Sequence, residues 1–175
     1  MSFARRQAEV KASRHGRGVL GALLMLALSG VVQAAGLQVK TVDGKDSTLA
    51  ASIAPGHWTV LMMWTTYCAV CRRQYPLISA FHDRHTGKDA EVLGVSLDGP
   101  TELPAVQAYL AKKPFSFPTV VADSDAMGKM FEAATGERFT GTPTYMVFNP
   151  ERQLVAFKSG DIAPGTLDNY VKGTP

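Results

Sequence analysis

Residues 58–71 run Trp58-Thr59-Val60-Leu61-Met62-Met63-Trp64-Thr65-Thr66-Tyr67-Cys68-Ala69-Val70-Cys71. The first seven form an apolar run of strand length, as a strand buried on both faces requires. The segment after the cysteines, to about Arg84, places Tyr75, Leu77, Ile78 and Phe81 at helical spacing, with Pro76 predicted to kink it. Cys68 therefore falls where a strand ends and a helix begins. Free N–H groups and partial positive charge at a helix N-terminus stabilise a thiolate, the attacking species in disulfide exchange. Cys71, one turn on, is within reach to resolve a mixed disulfide. Arg72 and Arg73 add positive charge nearby or serve only as solvated helix surface.

Both cysteines of the chain lie in this one C-x-x-C. A bridge across so short a loop removes little chain entropy and would stabilise weakly, so a redox role explains the pair better than a structural one. A zinc site wants four ligands, and no second cysteine pair exists. Of the four histidines, His15, His57, His82 and His85, none supplies the other half. His82 and His85 are expected on a solvated helix end or loop. Met62, Met63, Met127, Met130 and Met146 are expected as core fillers rather than metal ligands.

Outward from this stretch the chain alternates strands and helices. Leu37 to Leu49 alternates around Asp43-Gly44, a hairpin signature. Val92 to Leu97, Val120-Val121, Tyr145 to Phe148 and Leu154 to Phe157 read as strands. Glu102 to Lys112, Ala126 to Ala134 and Leu167 to Val171 read as helices. This order predicts an α/β three-layer sandwich: a central mixed sheet, helices on both faces, and an N-terminal β-hairpin.

Residues 1–34 read as a secretory signal peptide. Five basic residues and one acid precede or enter an apolar run from Val19 to Val32, and Val32-Gln33-Ala34 suits cleavage after Ala34. The run is short for a full membrane span, which makes an uncleaved anchor the weaker reading. No cysteine ends the run, so a lipid anchor at that point is excluded. The organisation expected is a signal at 1–34 and one domain at 35–175, in the periplasm. Of 18 basic and 15 acidic residues, 13 and 14 remain after cleavage, a net charge of −1. The basic balance of the precursor thus gives no support to nucleic-acid binding.

Gly141-Thr142-Pro143-Thr144 precedes a strand, where a proline marks a turn or a cis bond. With it, the ordered set Met63 to Pro76, Val95-Ser96-Leu97-Asp98, Phe117-Pro118 and Gly141 to Pro150 resembles the thioredoxin superfamily, more narrowly its exported TlpA/ResA branch. The resemblance covers nearly all of residues 37–171. It implies a thioredoxin-like fold with Cys68 as nucleophile, Cys71 as resolving thiol and Pro143 as a cis-proline facing them. Thr142 would offer a backbone edge to substrate. Read on its own, Trp64 is expected both as core and as a wall of the active site, and Tyr67 as exposed beside Cys68, where it can contact substrate. The resemblance also implies disulfide-bearing exported proteins as partners, in cytochrome c assembly or copper-site maturation, an inner-membrane electron donor, and no cofactor. The chain departs from the family at Val70, where proline is common, and at Tyr67, where tryptophan is. Met62 and Gln74 stand where relatives carry acids beside the resolving thiol. Two other readings remain: a thiol peroxidase, from Thr65-Thr66-Tyr67-Cys68, and a copper carrier using both thiolates.

Overall fold

A computed structural model describes residues 36–53 and 55–173, together with the backbone of residues 4–5. The expected signal segment, apart from those two, lies outside the described residues. The strands are β1 (Ala4–Arg5), β2 (Gln38–Thr41), β3 (Asp46–Thr48), β4 (Trp58–Trp64), β5 (Ala90–Ser96), β6 (Thr119–Ala122), β7 (Thr144–Phe148) and β8 (Leu154–Ser159). The helices are α1 (Ala69–His85), α2 (Leu103–Lys112), α3 (Ser124–Thr135) and α4 (Thr166–Val171). Single 3-10 turns stand at Ala50–Ser52 and Pro100–Glu102. No helix among the described residues is long and apolar enough to cross a membrane.

The strands form one mixed sheet in the order β1-β8-β7-β4-β5-β6-β2-β3. The β4–β5 and β5–β6 pairs are parallel, and the others antiparallel. β4 lies at the centre because nearly every residue in it is apolar and both its faces must be covered. Val60, Met62 and Trp64 point into one core layer, with Cys71, Tyr75, Ile78 and Phe81 of α1, Val106 of α2 and Leu167 of α4. Leu61 and Met63 point into the other, with Met127, Met130 and Phe131 of α3. The three-layer sandwich expected from the sequence is the one formed, and the five methionines named above are all buried within it.

Geometry requires glycine at positions that include Gly44 and Gly94. Gly44, at φ 88°, closes the β2–β3 hairpin, donating its N–H to the Thr41 carbonyl at 2.9 Å. Gly94 has no room for a side chain: a Cβ there would lie 2.8 Å from Thr119 Oγ1 and 3.2 Å from Trp64 Nε1. Helix α1 continues through Pro76, whose position faces solvent.

The histidine expectation is corrected. His82 and His85 are both buried. They follow Cys71, Tyr75 and Ile78 on the inner stripe of α1, at three- and four-residue steps. His82 Nδ1 accepts the Val92 N–H at 3.1 Å. Gly94, two residues on, points its own N–H to the Pro118 carbonyl, and β6 pairs with β5 only from Gly94 onward. Val92 lies beyond the end of that ladder, so the imidazole takes the place of a missing strand. His85 lies between two carboxylates, Nδ1 at 2.7 Å from Asp89 Oδ1 and Nε2 at 3.1 Å from Asp168 Oδ1, which ties α4 to the end of α1.

Candidate functional site

Cys68 is the N-cap of α1. It sits in extended backbone, and its sulfur accepts the Cys71 N–H at 3.0 Å. The chain enters through a tight turn in which the Cys68 N–H reaches the Thr65 carbonyl at 3.2 Å. Leu97 N–H, donating to the Trp64 carbonyl at 2.8 Å, carries the β4–β5 pairing up to this turn. A strand that must stay buried thus delivers Cys68 to the C-terminal end of the sheet's central strand, and the helix it begins directs the Cys71 N–H at the sulfur.

The two cysteines are joined as a disulfide, with Cα atoms 5.2 Å apart. Their environments differ. Cys68 is 8% exposed and Cys71 not at all. Only the first can be approached by a bulky partner. The peptide bond between Thr142 and Pro143 is cis. The Thr142 carbonyl oxygen lies 3.6 Å from Cys68 Sγ. A disulfide sulfur has no proton, so this is a packing contact here; a reduced Cys68 thiol could donate along the same line. Gly160 N–H donates to the Pro143 carbonyl at 2.8 Å and holds the loop from behind.

Of the residues expected to meet a substrate, Thr142 is half-buried beside Cys68, and Tyr67 is the large apolar side chain left open, at 77% exposure. Trp64 is corrected. It is wholly buried, packing on Tyr75 and Phe115 at ring distances of 5.8 and 5.0 Å, and so underlies the cysteines without surface to offer. The run that makes β4 continuous also sends Trp64 into the core layer. Arg72 and Arg73 are exposed, and the Arg73 guanidinium donates back to the Ala69 carbonyl at 3.5 Å.

Around Cys71 the positions of the absent acids are occupied as follows. Met62 is wholly buried in the same core layer. Gln74 Oε1 accepts from the Tyr145 hydroxyl at 3.3 Å and from the Ile162 N–H at 3.1 Å. Burial, and secondarily Tyr109, pushes the Tyr75 phenol well above its usual range, so it stays neutral.

Asp98, the last residue of the Val95-Ser96-Leu97-Asp98 stretch, is part of this site. Its carboxylate accepts the Thr66 N–H at 3.1 Å, the Thr66 hydroxyl at 2.6 Å and the Ser96 hydroxyl at 2.7 Å. A carboxylate two residues past a strand that ends beside the cysteine turn is the sequence feature that could have marked it.

A buried redox pair at the start of a helix, set opposite a cis-proline loop on a mixed three-layer sandwich, defines the thioredoxin-like class. Residues 32–157 match the model of the AhpC/TSA family, and the chain belongs to that family. It is similar to sporulation thiol-disulfide oxidoreductase A of Bacillus subtilis, 22% identical over 77% of this chain and 76% of that protein. It is also similar to the thiol-disulfide oxidoreductase ResA of Oceanobacillus iheyensis, 23% identical over 71% of this chain and 61% of that one. Among solved structures, a putative thiol:disulfide interchange protein DsbE from Chlorobium tepidum has the same fold. It superposes with a TM-score of 0.65 at 16% identity, over 78% of this chain and 91% of the other.

Proposed function

We propose that this protein is an exported thiol–disulfide oxidoreductase, freed of residues 1–34 in the periplasm, that reduces disulfides of other exported proteins. The observation that carries the chemistry is the Cys71 N–H donated to Cys68 Sγ at 3.0 Å, at the first turn of a 17-residue helix. That donor and the helix field favour the Cys68 thiolate. The similarity to relatives named as thiol-disulfide oxidoreductases supports the same reading.

The Cys68 thiolate attacks one sulfur of the substrate disulfide. A mixed disulfide forms, and the other substrate sulfur leaves as a thiolate that takes a proton from solvent. Cys71 then loses its proton and attacks Cys68 Sγ, and the second substrate thiolate leaves. Two electrons have passed to the substrate, and Cys68–Cys71 is a disulfide again. A dithiol donor at the inner membrane would restore the reduced pair by the reverse exchange. Thr142 and Pro143 would line the substrate backbone, with Tyr67 contacting its side chains. Cytochrome c assembly and copper-site maturation are the settings in which such a reductant would act.

The AhpC/TSA match and Thr65, three residues before Cys68, also suit a thiol peroxidase. Against it, Cys71 bonds to Cys68 within a single turn, which leaves little room for a peroxide-oxidised sulfur. The test takes periplasmic material. The mature chain should begin at Ala35, and it should reduce insulin with a dithiol as donor, while Cys68→Ser should not. Full-length protein in the membrane fraction would refute the export half. Peroxide consumption without insulin reduction would refute the chemistry.

A further inference from the structure

The turn that presents Cys68 is held by one carboxylate. Asp98 takes both donors of Thr66, its backbone N–H and its hydroxyl, and Thr66 is the second residue of the Thr65–Cys68 turn. The Ser96 hydroxyl, itself wholly buried, fixes the carboxylate from the β5 side. Among the described residues no lysine, arginine or histidine nitrogen lies within 4 Å of it, so its charge is answered by hydrogen bonds alone. Chain length bounds its distance from the Cys68 Cα at about 12 Å: two residues of backbone and one hydrogen bond. At that range, half-buried, one charge still acts on another.

We propose that Asp98 is a positioning residue of the thiol site: through Thr66 it sets the turn that carries Cys68, and it holds a fixed negative charge on the strand side of that turn. The inference rests on the thiol–disulfide reading above. Charged and titratable groups around the Cys68 turn include Tyr67 within it, Arg72 and Arg73 from α1, Tyr75 on the inner face of α1, and Asp98 just past the end of β5. The helix terminus and the arginines favour the thiolate, and Asp98 opposes it. The balance keeps the reduced pair from being over-stabilised, so the disulfide is harder to reduce and the dithiol a better donor. The geometric part is separate: a fixed Thr66 keeps Cys68 Sγ facing the Thr142 carbonyl.

Asp98→Asn keeps the acceptor side and removes the charge. The pH midpoint of Cys68 alkylation should fall by about half a unit or more, and the reduction potential, read against glutathione, should become less negative. An altered fold alone would not move both in that direction. An exchange-competent wild type with an unchanged midpoint and potential in Asp98→Asn overturns the role of Asp98 and leaves the thiol reading intact. A wild type that exchanges no disulfides overturns both. If Asp98→Asn does not fold, Thr66→Val decides, because it keeps the charge and cuts one arm of the clamp. Exchange should then slow several-fold at a matched thiolate fraction, and Thr66→Ser should restore it. An unchanged rate in Thr66→Val overturns the proposal.

Discussion

Among single residues, Met62 and Gln74 shape what Cys71 can do. A thioether and an amide do not titrate, so in the proposed exchange neither takes the proton that Cys71 would lose as resolving thiol. Single-turnover release of a mixed disulfide should therefore speed up about tenfold per pH unit until Cys71 itself ionises, with no second inflection near neutrality. Gln74→Glu should be tolerated, because both its neighbours, Tyr145 hydroxyl and Ile162 N–H, donate to position 74 and suit a carboxylate. It should raise the rate at pH 6. Met62→Asp should cost at least about 2 kcal/mol, because it puts a carboxyl at a wholly buried position with no donor waiting. The check is the rate profile from pH 5 to 9 beside urea midpoints. An inflection near pH 6 to 7 in the wild type that no histidine replacement removes would mean another base serves Cys71. At this scale the cysteines were legible because their spacing states their chemistry. Asp98 was not: its role comes from a partner 32 residues earlier, brought close only by the parallel pairing of β4 and β5.

At the scale of elements, the strands and helices from β2 onward follow the patterns read in the sequence, and β4 coincides with the apolar run Trp58 to Trp64. The histidines of α1 were misplaced for a reason the period itself contains. Positions 71, 75, 78, 82 and 85 make one stripe, and residue type argued for solvent where spacing argued for the core. The consequence can be measured. Burial holds the His82 imidazole below its usual pKa, although Asp83 and Glu91 pull the other way, and a proton on Nδ1 would meet the Val92 N–H head on. The unfolded chain takes up that proton near pH 6.5, whereas folded His82 resists until lower pH. Stability should therefore be full above about pH 6.5 and fall as the pH drops below it, the loss ending once folded His82 protonates as well. His82→Leu should cost about 1–3 kcal/mol at pH 7.5, from the unpartnered Val92 N–H. It should also narrow the gap between urea midpoints at pH 7.5 and pH 5. An unchanged gap would show that His82 is not the group responsible.

Across the whole molecule, the sheet, the two core layers and the loop at Pro143 serve one end: to hold a reactive sulfur at a rim where one side is helix terminus and the other is open backbone. The exposed Tyr67 and the sealed Cys71 divide the pair into an outward and an inward member. The central claim is that Cys68 attacks and Cys71 resolves. The direct test is to present a disulfide-bearing exported protein to Cys71→Ser and to Cys68→Ser, quench with acid, and weigh the products. Cys71→Ser should form a covalent adduct through Cys68, released by dithiothreitol, and Cys68→Ser should form none. Equal adducts in the two variants, or an adduct through Cys71 alone, would contradict the claim.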